Sequence, residues 1–111
     1  MILYRLARTA FAIDLSGRGA EKYGGRWNSP DTCMLYTASN PALAMLEVFV
    51  HLNLNLVPTD YRMVGIFVPD DVPFMAVSTE ELAGEWFSFP MKKTTQIIGD
   101  HFIRTNKYFL C

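Results

Sequence analysis

The chain has 111 residues, of which 50% are hydrophobic and 19% are charged, and its net charge is −1. This length predicts a single domain over residues 1–111, and the apolar content excludes a disordered chain. Two cysteines are too few for a disulfide-stabilised miniprotein, the balanced charge excludes a basic nucleic-acid-binding domain, and no apolar segment is long enough to span a membrane.

The N-terminal segment lacks the pattern of a secretory signal. Arg5 and Arg8 interrupt its apolar residues, and Asp14 follows soon afterwards. The two cysteines, Cys33 and Cys111, are far apart in the chain, which fits a reducing compartment. We therefore expect a cytoplasmic protein in which Cys33 is a buried free thiol.

The first part of the chain is predicted to contain two strands separated by a loop. Residues 2–7 alternate between apolar and polar side chains well enough for a strand. Residues 16–30 contain four glycines and a proline, which are typical of a loop. Residues 32–37 are rich in β-branched and aromatic side chains and predict the second strand.

A short helix is predicted to follow. Asn40 is suited to cap its N-terminus, and Pro41 is suited to its first position, where a missing N–H costs nothing. Residues 42–52 are apolar on almost every side, so we expect this helix to be largely buried.

The middle of the chain predicts a third strand and another short helix. The strand covers residues 61–68 and follows a loop over residues 53–60. Ser78 and Glu81 have the spacing of a capping box, which predicts a helix that ends near Gly84.

The last elements complete a prediction of fold class. Residues 85–93 are irregular, residues 94–104 predict a helix that Gly99 weakens, and residues 107–111 begin a fourth strand. The apolar side of that helix is formed by Ile97, Ile98, Phe102 and Ile103. Strands and helices that alternate irregularly predict an α+β fold with a mixed, mainly antiparallel sheet and short helices.

Glu47 is the charged residue that stands out, because it lies within the most apolar helix of the chain. A carboxylate in such a helix must be paired, be protonated or face a cavity. The alternative is an exposed stripe on which Glu47 pairs with His51, four residues later.

A glycine-rich segment offers a second group of candidate residues. Gly24 and Gly25 would let the backbone approach a ligand closely, and Arg26 offers a planar fork suited to phosphate oxygens. The alternative is a surface turn followed by a core tryptophan, Trp27. Tyr36, in the second predicted strand, is either a site residue or a core tyrosine.

A metal-dependent hydrolase is a further alternative. Glu47 and His51 could face one ion from one helix, and Asp100 or His101 could add a ligand. The spacing is generic, however, and no HExxH motif is present. No serine lies in a GxSxG turn either.

Together these segments resemble the RES domain, which is named for an arginine, a glutamate and a serine. The resemblance covers nearly the whole chain, and its most specific part is the ordered series GGRWN, LYTA and ALAxLE at residues 24–28, 35–38 and 42–47. Further matching segments are Tyr4–Ala7, Gly19–Ala20, His51–Leu52, Thr95–Gln96 and Ile98–Asp100.

The resemblance implies a fold similar to ADP-ribosyltransferases and a role as a bacterial toxin. Toxins of this family are paired with an Xre-like helix-turn-helix antitoxin. They consume NAD⁺ as a substrate, not as a cofactor, by cleaving the nicotinamide–ribose bond. The cleavage occurs by hydrolysis, by phosphorolysis or by transfer of ADP-ribose to a protein.

The resemblance also implies roles for individual residues. Arg26, Tyr36 and Glu47 take the positions of the family's arginine, tyrosine and glutamate. Arg5 is implied as a second arginine that contacts phosphate. The remaining residues implied to bind NAD⁺ are Gly24, Gly25, Trp27 and Asn28.

The family's serine belongs in a segment after the strand that begins at Lys107, and this sequence reaches only Cys111. We therefore expect the C-terminal strands to be missing. Three explanations are open, namely a truncated chain, a naturally degenerate copy or an omitted tail, and in the first two activity would be weak or absent. The corresponding alternative is an inactive module that only binds its antitoxin. Such a chain would expose apolar surface and tend to pair with a second copy or aggregate.

Overall fold

A computed structural model describes residues 1–50, 59–78 and 93–105. These residues belong to two compact units, Met1–Leu15 with Tyr36–Asp70, and Ser16–Leu35 with Asp71–Cys111. The elements are β1 (Ile2–Arg8), a 3-10 turn (Thr9–Phe11), α1 (Arg18–Glu21), α2 (Pro41–Phe49), β2 (Tyr61–Phe67) and α3 (Lys93–Thr105). The single domain over residues 1–111 stays a prediction.

The first unit contains a two-stranded antiparallel sheet. β1 pairs with β2 from Ile2 opposite Phe67 to Arg8 opposite Tyr61, which confirms both predicted strands. Beyond the last pair, the backbone N–H of Thr9 donates to the carbonyl of Asp60 over 2.7 Å. An antiparallel sheet with a few helices agrees with the predicted α+β class, while the likeness to ADP-ribosyltransferases stays a prediction.

The predicted strand over residues 32–37 is wrong. The chain after it makes only an isolated antiparallel bridge, in which Ala38 and Tyr4 exchange two backbone hydrogen bonds of 2.8 Å. Met34 instead donates its N–H to the carbonyl of Gly17, in the second unit. Because the segment divides its backbone bonds between different partners, no continuous ladder forms.

Helix α2 begins as the sequence predicts but is less buried than expected. Asn40 has an extended backbone and its side-chain oxygen accepts the N–H of Leu43 over 2.8 Å, with Pro41 in the first turn. Ala44 is the buried residue of the helix, whereas Leu46 is 58% exposed. The expectation of a largely buried helix is wrong because α2 packs on β1 through one side.

The second unit contains α1 and α3. The predicted loop over residues 16–30 includes the one-turn helix α1, whose N-cap Gly17 has a left-handed φ of 76°. A Cβ at Gly17 would lie 2.8 Å from the backbone nitrogen of Met34, so the close approach of these two segments requires glycine.

Helix α3 confirms the helix predicted over residues 94–104, but its predicted apolar side is only partly buried. Thr95, Gly99 and Phe102 are buried, while Ile97 is 63% exposed. Of the predicted apolar side, Phe102 is buried but Ile97 and Ile103 are exposed, because α3 also packs Thr95 and Gly99 against the glycine-rich segment.

The other predicted elements lie outside the described residues. They are most of the loop over residues 53–60, the helix after Ser78, the irregular segment up to residue 92 and the strand over residues 107–111. None of the helices formed by residues 1–50, 59–78 and 93–105 is long and apolar enough to cross a membrane.

Candidate functional site

The segment Gly24–Ser29 forms a tight turn in the second unit. The N–H of Gly25 donates to the carbonyl of Asn28 over 2.9 Å. Gly24 has a φ of +75°, and a Cβ there would lie 3.0 Å from both the Asn28 carbonyl oxygen and the Pro30 ring. The turn itself therefore requires glycine at position 24.

Asn28 is fully buried and ties this turn to the rest of the second unit. Its side-chain nitrogen donates to the carbonyls of Ala20, over 2.9 Å, and Thr32, over 2.8 Å. These bonds give Asn28 a structural role that the sequence did not reveal. Its predicted contact with NAD⁺ stays a prediction.

Helix α3 contacts the turn through two adjacent side chains at its N-terminal end. The side-chain nitrogen of Gln96 donates to the carbonyls of Gly25, over 3.0 Å, and Asn28, over 3.3 Å. The hydroxyl of Thr95, which is fully buried, donates to the carbonyl of Arg26. The backbone on both sides of Arg26 is thus bonded to α3.

One helical turn later, α3 contacts the same segment again. A Cβ at Gly99 would lie 1.6 Å from the carbonyl oxygen of Trp27, so only glycine allows this approach. The Asp100 carboxylate accepts the backbone N–H of Ser29 over 2.9 Å and also its hydroxyl. Arg26 and Trp27, which lie between these contacts, are half-buried.

In the first unit, Arg5 is bonded to its own neighbourhood. It lies in β1, and its guanidinium donates to the backbone carbonyl of Asp14 over 2.8 Å and to that of Phe11 over 3.4 Å. These bonds hold the segment that follows β1. The predicted contact of Arg5 with phosphate stays a prediction.

The other two candidates of the first unit are accessible. Tyr36 is 40% exposed, and Glu47 is exposed on α2. Leu43, Leu46 and Val50 are exposed on the same helix at the spacing of one face around Glu47. His51, the predicted partner of Glu47, lies outside the described residues.

The predicted site residues therefore occur in both units. Arg5, Tyr36 and Glu47 belong to the first unit, and the segment from Gly24 to Asn28 belongs to the second.

The predicted metal site gains no support from the part of the chain that the structure describes. No group of three potential metal ligands occurs within it. Asp100, one of the ligands considered, uses both carboxylate oxygens to hold Ser29.

Cys33 is a free, half-buried thiol, whereas the sequence predicted a buried one. Its sulfur donates to the carboxylate of Glu21 over 3.3 Å. This hydrogen bond raises the pKa of the Cys33 thiol above its usual value. Partial burial and the negative charge of Glu21 act in the same direction, while Arg18 opposes them. A raised pKa leaves less of the reactive thiolate at neutral pH.

Comparison with protein families identifies the family to which the chain belongs. The family model of the RES domain matches residues 2–110, nearly the whole chain. The chain belongs to the RES domain family.

Curated relatives of this RES domain are named as toxins. "Toxin Res" of Yersinia enterocolitica is 34% identical over 106 residues, which cover 95% of this chain and 69% of that protein. "Toxin Res" of Pseudomonas putida is 35% identical over 105 residues, 93% of this chain and 68% of that protein.

A third relative carries a more specific name. "Prs ADP-ribosylating toxin" of a Sphingobium species is 52% identical over 66 residues, 60% of this chain and 41% of that protein. The RES domain described here thus spans less than half of the Sphingobium toxin and about two thirds of the Res toxins.

Sequence reasoning missed the residues of the RES domain that hold the Arg26 turn. Thr95 and Gln96 entered only as part of the resemblance, Asp100 entered there and as a possible metal ligand, and Gly99 entered there and as a weakness in a helix. The signal that could have found them is Gly99 itself, because a residue without a Cβ allows another segment of backbone to approach closely.

Proposed function

We propose that this RES domain degrades NAD⁺ by cleaving the bond between nicotinamide and ribose, as a bacterial toxin. The observation that carries the proposal is the family match over residues 2–110, which includes Arg26, Tyr36 and Glu47. A relative named as an ADP-ribosylating toxin supports it, because transfer of ADP-ribose from NAD⁺ breaks this same bond.

Glu47 is the proposed catalytic carboxylate. Nicotinamide leaves NAD⁺ as a neutral molecule, so no general acid is needed to protonate it. The difficulty is the cationic, oxocarbenium-like ribose that remains, and one carboxylate beside it stabilises that charge. Glu47 is exposed on α2 among apolar side chains, which would strengthen this interaction where they exclude water from bound substrate.

The other candidates are proposed to bind NAD⁺. Arg26 and Arg5 supply positive charge for the pyrophosphate, and Arg26 offers two parallel donors to its oxygens. Tyr36 supplies an exposed ring for stacking on nicotinamide. Gly24, Gly25, Trp27 and Asn28 complete the proposed NAD⁺-binding set.

The proposed partner is an Xre-like helix-turn-helix antitoxin in the bacterial cytoplasm. The relatives named Toxin Res support a toxin–antitoxin context. The exposed apolar side chains of α2 also suit contact with a protein, either the antitoxin or a second copy of the chain. A second proposal is that this chain only binds its antitoxin and has no turnover.

The test is to incubate the protein with NAD⁺ and measure free nicotinamide by chromatography. We expect release by the wild-type chain and a loss of about a hundredfold in Glu47→Gln, which removes a charge contact to the transition state. Asp71→Asn is the matched control, because it removes another exposed carboxylate and should leave the rate unchanged.

The products separate the three acceptors. When water is the acceptor the product is free ADP-ribose, when phosphate is the acceptor it is phosphorylated ADP-ribose, and when a protein is the acceptor it is an ADP-ribosylated protein. No nicotinamide above the Glu47→Gln background, together with co-purification of the antitoxin, would favour the inactive binding module.

A further inference from the structure

Helix α3 buries an unusual set of residues. Phe102 is buried, but so are Gly99 and Thr95, the latter completely, while Ile97 of the same helix is 63% exposed. A helix that followed the hydrophobic effect alone would bury the isoleucine. The face that α3 presents to the Gly24–Ser29 turn is therefore specified by hydrogen bonds and close backbone contact.

The contacts of this face fall on consecutive residues of the turn. Gln96 binds the carbonyl of Gly25, and Thr95 binds the carbonyl of Arg26. Gly99 lies against the carbonyl of Trp27, and Asp100 binds Ser29. Between Trp27 and Ser29, the carbonyl of Asn28 lies 3.3 Å from the side-chain nitrogen of Gln96.

We propose that Thr95 and Gln96 are positioning residues that fix Arg26 for binding the pyrophosphate of NAD⁺, which rests on the proposed function. The Gly25 carbonyl belongs to the peptide group before Arg26, and the Arg26 carbonyl belongs to the one after it. Holding both peptide groups fixes φ and ψ of Arg26 and therefore the direction of its Cα–Cβ bond.

The benefit of this arrangement is preorganisation. A guanidinium that starts from a fixed backbone loses less conformational freedom when it binds an anion. Gly99 and Asp100 extend the same support to Trp27 and Ser29, so the whole segment is attached to a rigid helix. Thr95 and Gln96 act through Arg26 and need not touch the substrate themselves.

Two substitutions of Thr95 test the proposal: valine has nearly the size of threonine, and serine keeps its hydroxyl. Thr95→Val removes the hydroxyl and leaves the Arg26 carbonyl without this donor, while Thr95→Ser keeps it. We expect Thr95→Val to raise the KM for NAD⁺ about tenfold with little change in kcat, as loss of one buried hydrogen bond predicts. Thr95→Ser should stay within about twofold of wild type.

A double mutant separates positioning from general damage. In an Arg26→Ala background, Thr95→Val should raise KM no further, because the side chain that it positions is already gone. An equal rise in KM in both backgrounds would overturn the proposal.

A measurement of hydrogen exchange does not depend on activity. Thr95→Val should speed exchange of the amides in residues 25–29 more than that of amides in the first unit, and unchanged exchange would contradict the proposal. If wild-type protein releases no nicotinamide, the proposed function fails, and exchange still decides whether Thr95 holds the turn. Should Thr95→Val not fold, Gln96→Met removes the neighbouring donor at a half-buried position and is judged by the same readouts.

Discussion

Gly99 looks unfavourable from the sequence alone, and its contact with Trp27 explains why glycine is needed there. Glycine inside a helix costs about 1 kcal/mol relative to alanine. At this position, however, a Cβ would lie 1.6 Å from the carbonyl oxygen of Trp27 and 2.6 Å from its carbon. Glycine is needed at position 99 despite its poor helix propensity, because α3 could not otherwise approach the turn that carries Arg26.

Gly99→Ala should therefore destabilise the protein despite the better helix propensity of alanine. We expect the free energy of unfolding to fall by about 1–3 kcal/mol, as overpacking does, measured by urea denaturation. Gly19→Ala is the control, because a Cβ at Gly19 of α1 would meet no atom within 4 Å. Equal losses in the two variants would show that the Trp27 contact does not matter.

Cys33 should react slowly with alkylating reagents because of Glu21. The hydrogen bond to the Glu21 carboxylate raises the pKa of the thiol, so less of the reactive thiolate is present near neutral pH. Glu21→Gln should lower that pKa and shift the midpoint of the rate–pH profile downwards. The measurement is the iodoacetamide rate in a Cys111→Ser background.

The raised pKa of Cys33 also makes the stability of the folded chain depend on pH. Because the folded-state pKa is raised, the native chain keeps a proton that the unfolded chain loses as the pH rises. The stabilisation that Cys33 provides is therefore present below the unfolded pKa and lost as the pH rises through the folded one. In Glu21→Gln this alkaline loss should become smaller, and an unchanged alkaline profile would argue against the coupling.

At the level of elements, the parts that the sequence predicts well are those with local causes. Asn40 and Pro41 start α2 through contacts within one turn, and alternation along residues 2–7 and 61–68 predicts β1 and β2. The side of each helix that is buried depends on distant partners. For α3 those partners lie up to 71 positions away, as in the pair of Ser29 and Asp100.

The candidate site follows the same division. The family's residue types, such as Arg26 and Glu47, could be named from short motifs. The bonds that hold the Arg26 turn could not, because no local pattern shows that Thr95 will face it. The strand predicted over residues 32–37 failed for a related reason: its composition suits a sheet, but its backbone partners lie elsewhere.

The cap of α2 gives a prediction at this scale. Asn40→Ala removes the acceptor for the Leu43 N–H and should lower the free energy of unfolding by about 1 kcal/mol in a denaturation experiment. Asn40→Ser, which keeps a capping oxygen, should recover most of the loss. Equal stability of the alanine and wild-type proteins would mean that the cap contributes nothing.

For the whole molecule, the important fact is that the proposed NAD⁺ residues belong to two units. Glu47 lies in the first unit and Arg26 in the second. Their proposed tasks also differ, since Glu47 acts on the ribose as charge develops and Arg26 acts on the pyrophosphate throughout. Substitutions of Arg26 should therefore mainly change KM, and substitutions of Glu47 should mainly change kcat.

Arg26→Lys keeps the charge but loses the planar fork, so we expect KM for NAD⁺ to rise about tenfold with a smaller change in kcat. Glu47→Gln should instead lower kcat with KM nearly unchanged. Initial rates of nicotinamide release over a range of NAD⁺ concentrations measure both. If Arg26→Lys mainly lowers kcat, the arginine contributes to the chemical step and the assignment changes.

The pairing of β1 with β2 has a consequence for synthesis of the chain. Ile2 pairs with Phe67, and the Arg26 turn is held by α3, so both units join early segments to much later ones. On the ribosome, β1 emerges with an unpaired edge, and such non-local contacts form slowly. A nascent chain that ends before α3 has neither Thr95 nor Gln96 to hold the Arg26 turn, so the preorganisation that we propose is absent until these residues emerge.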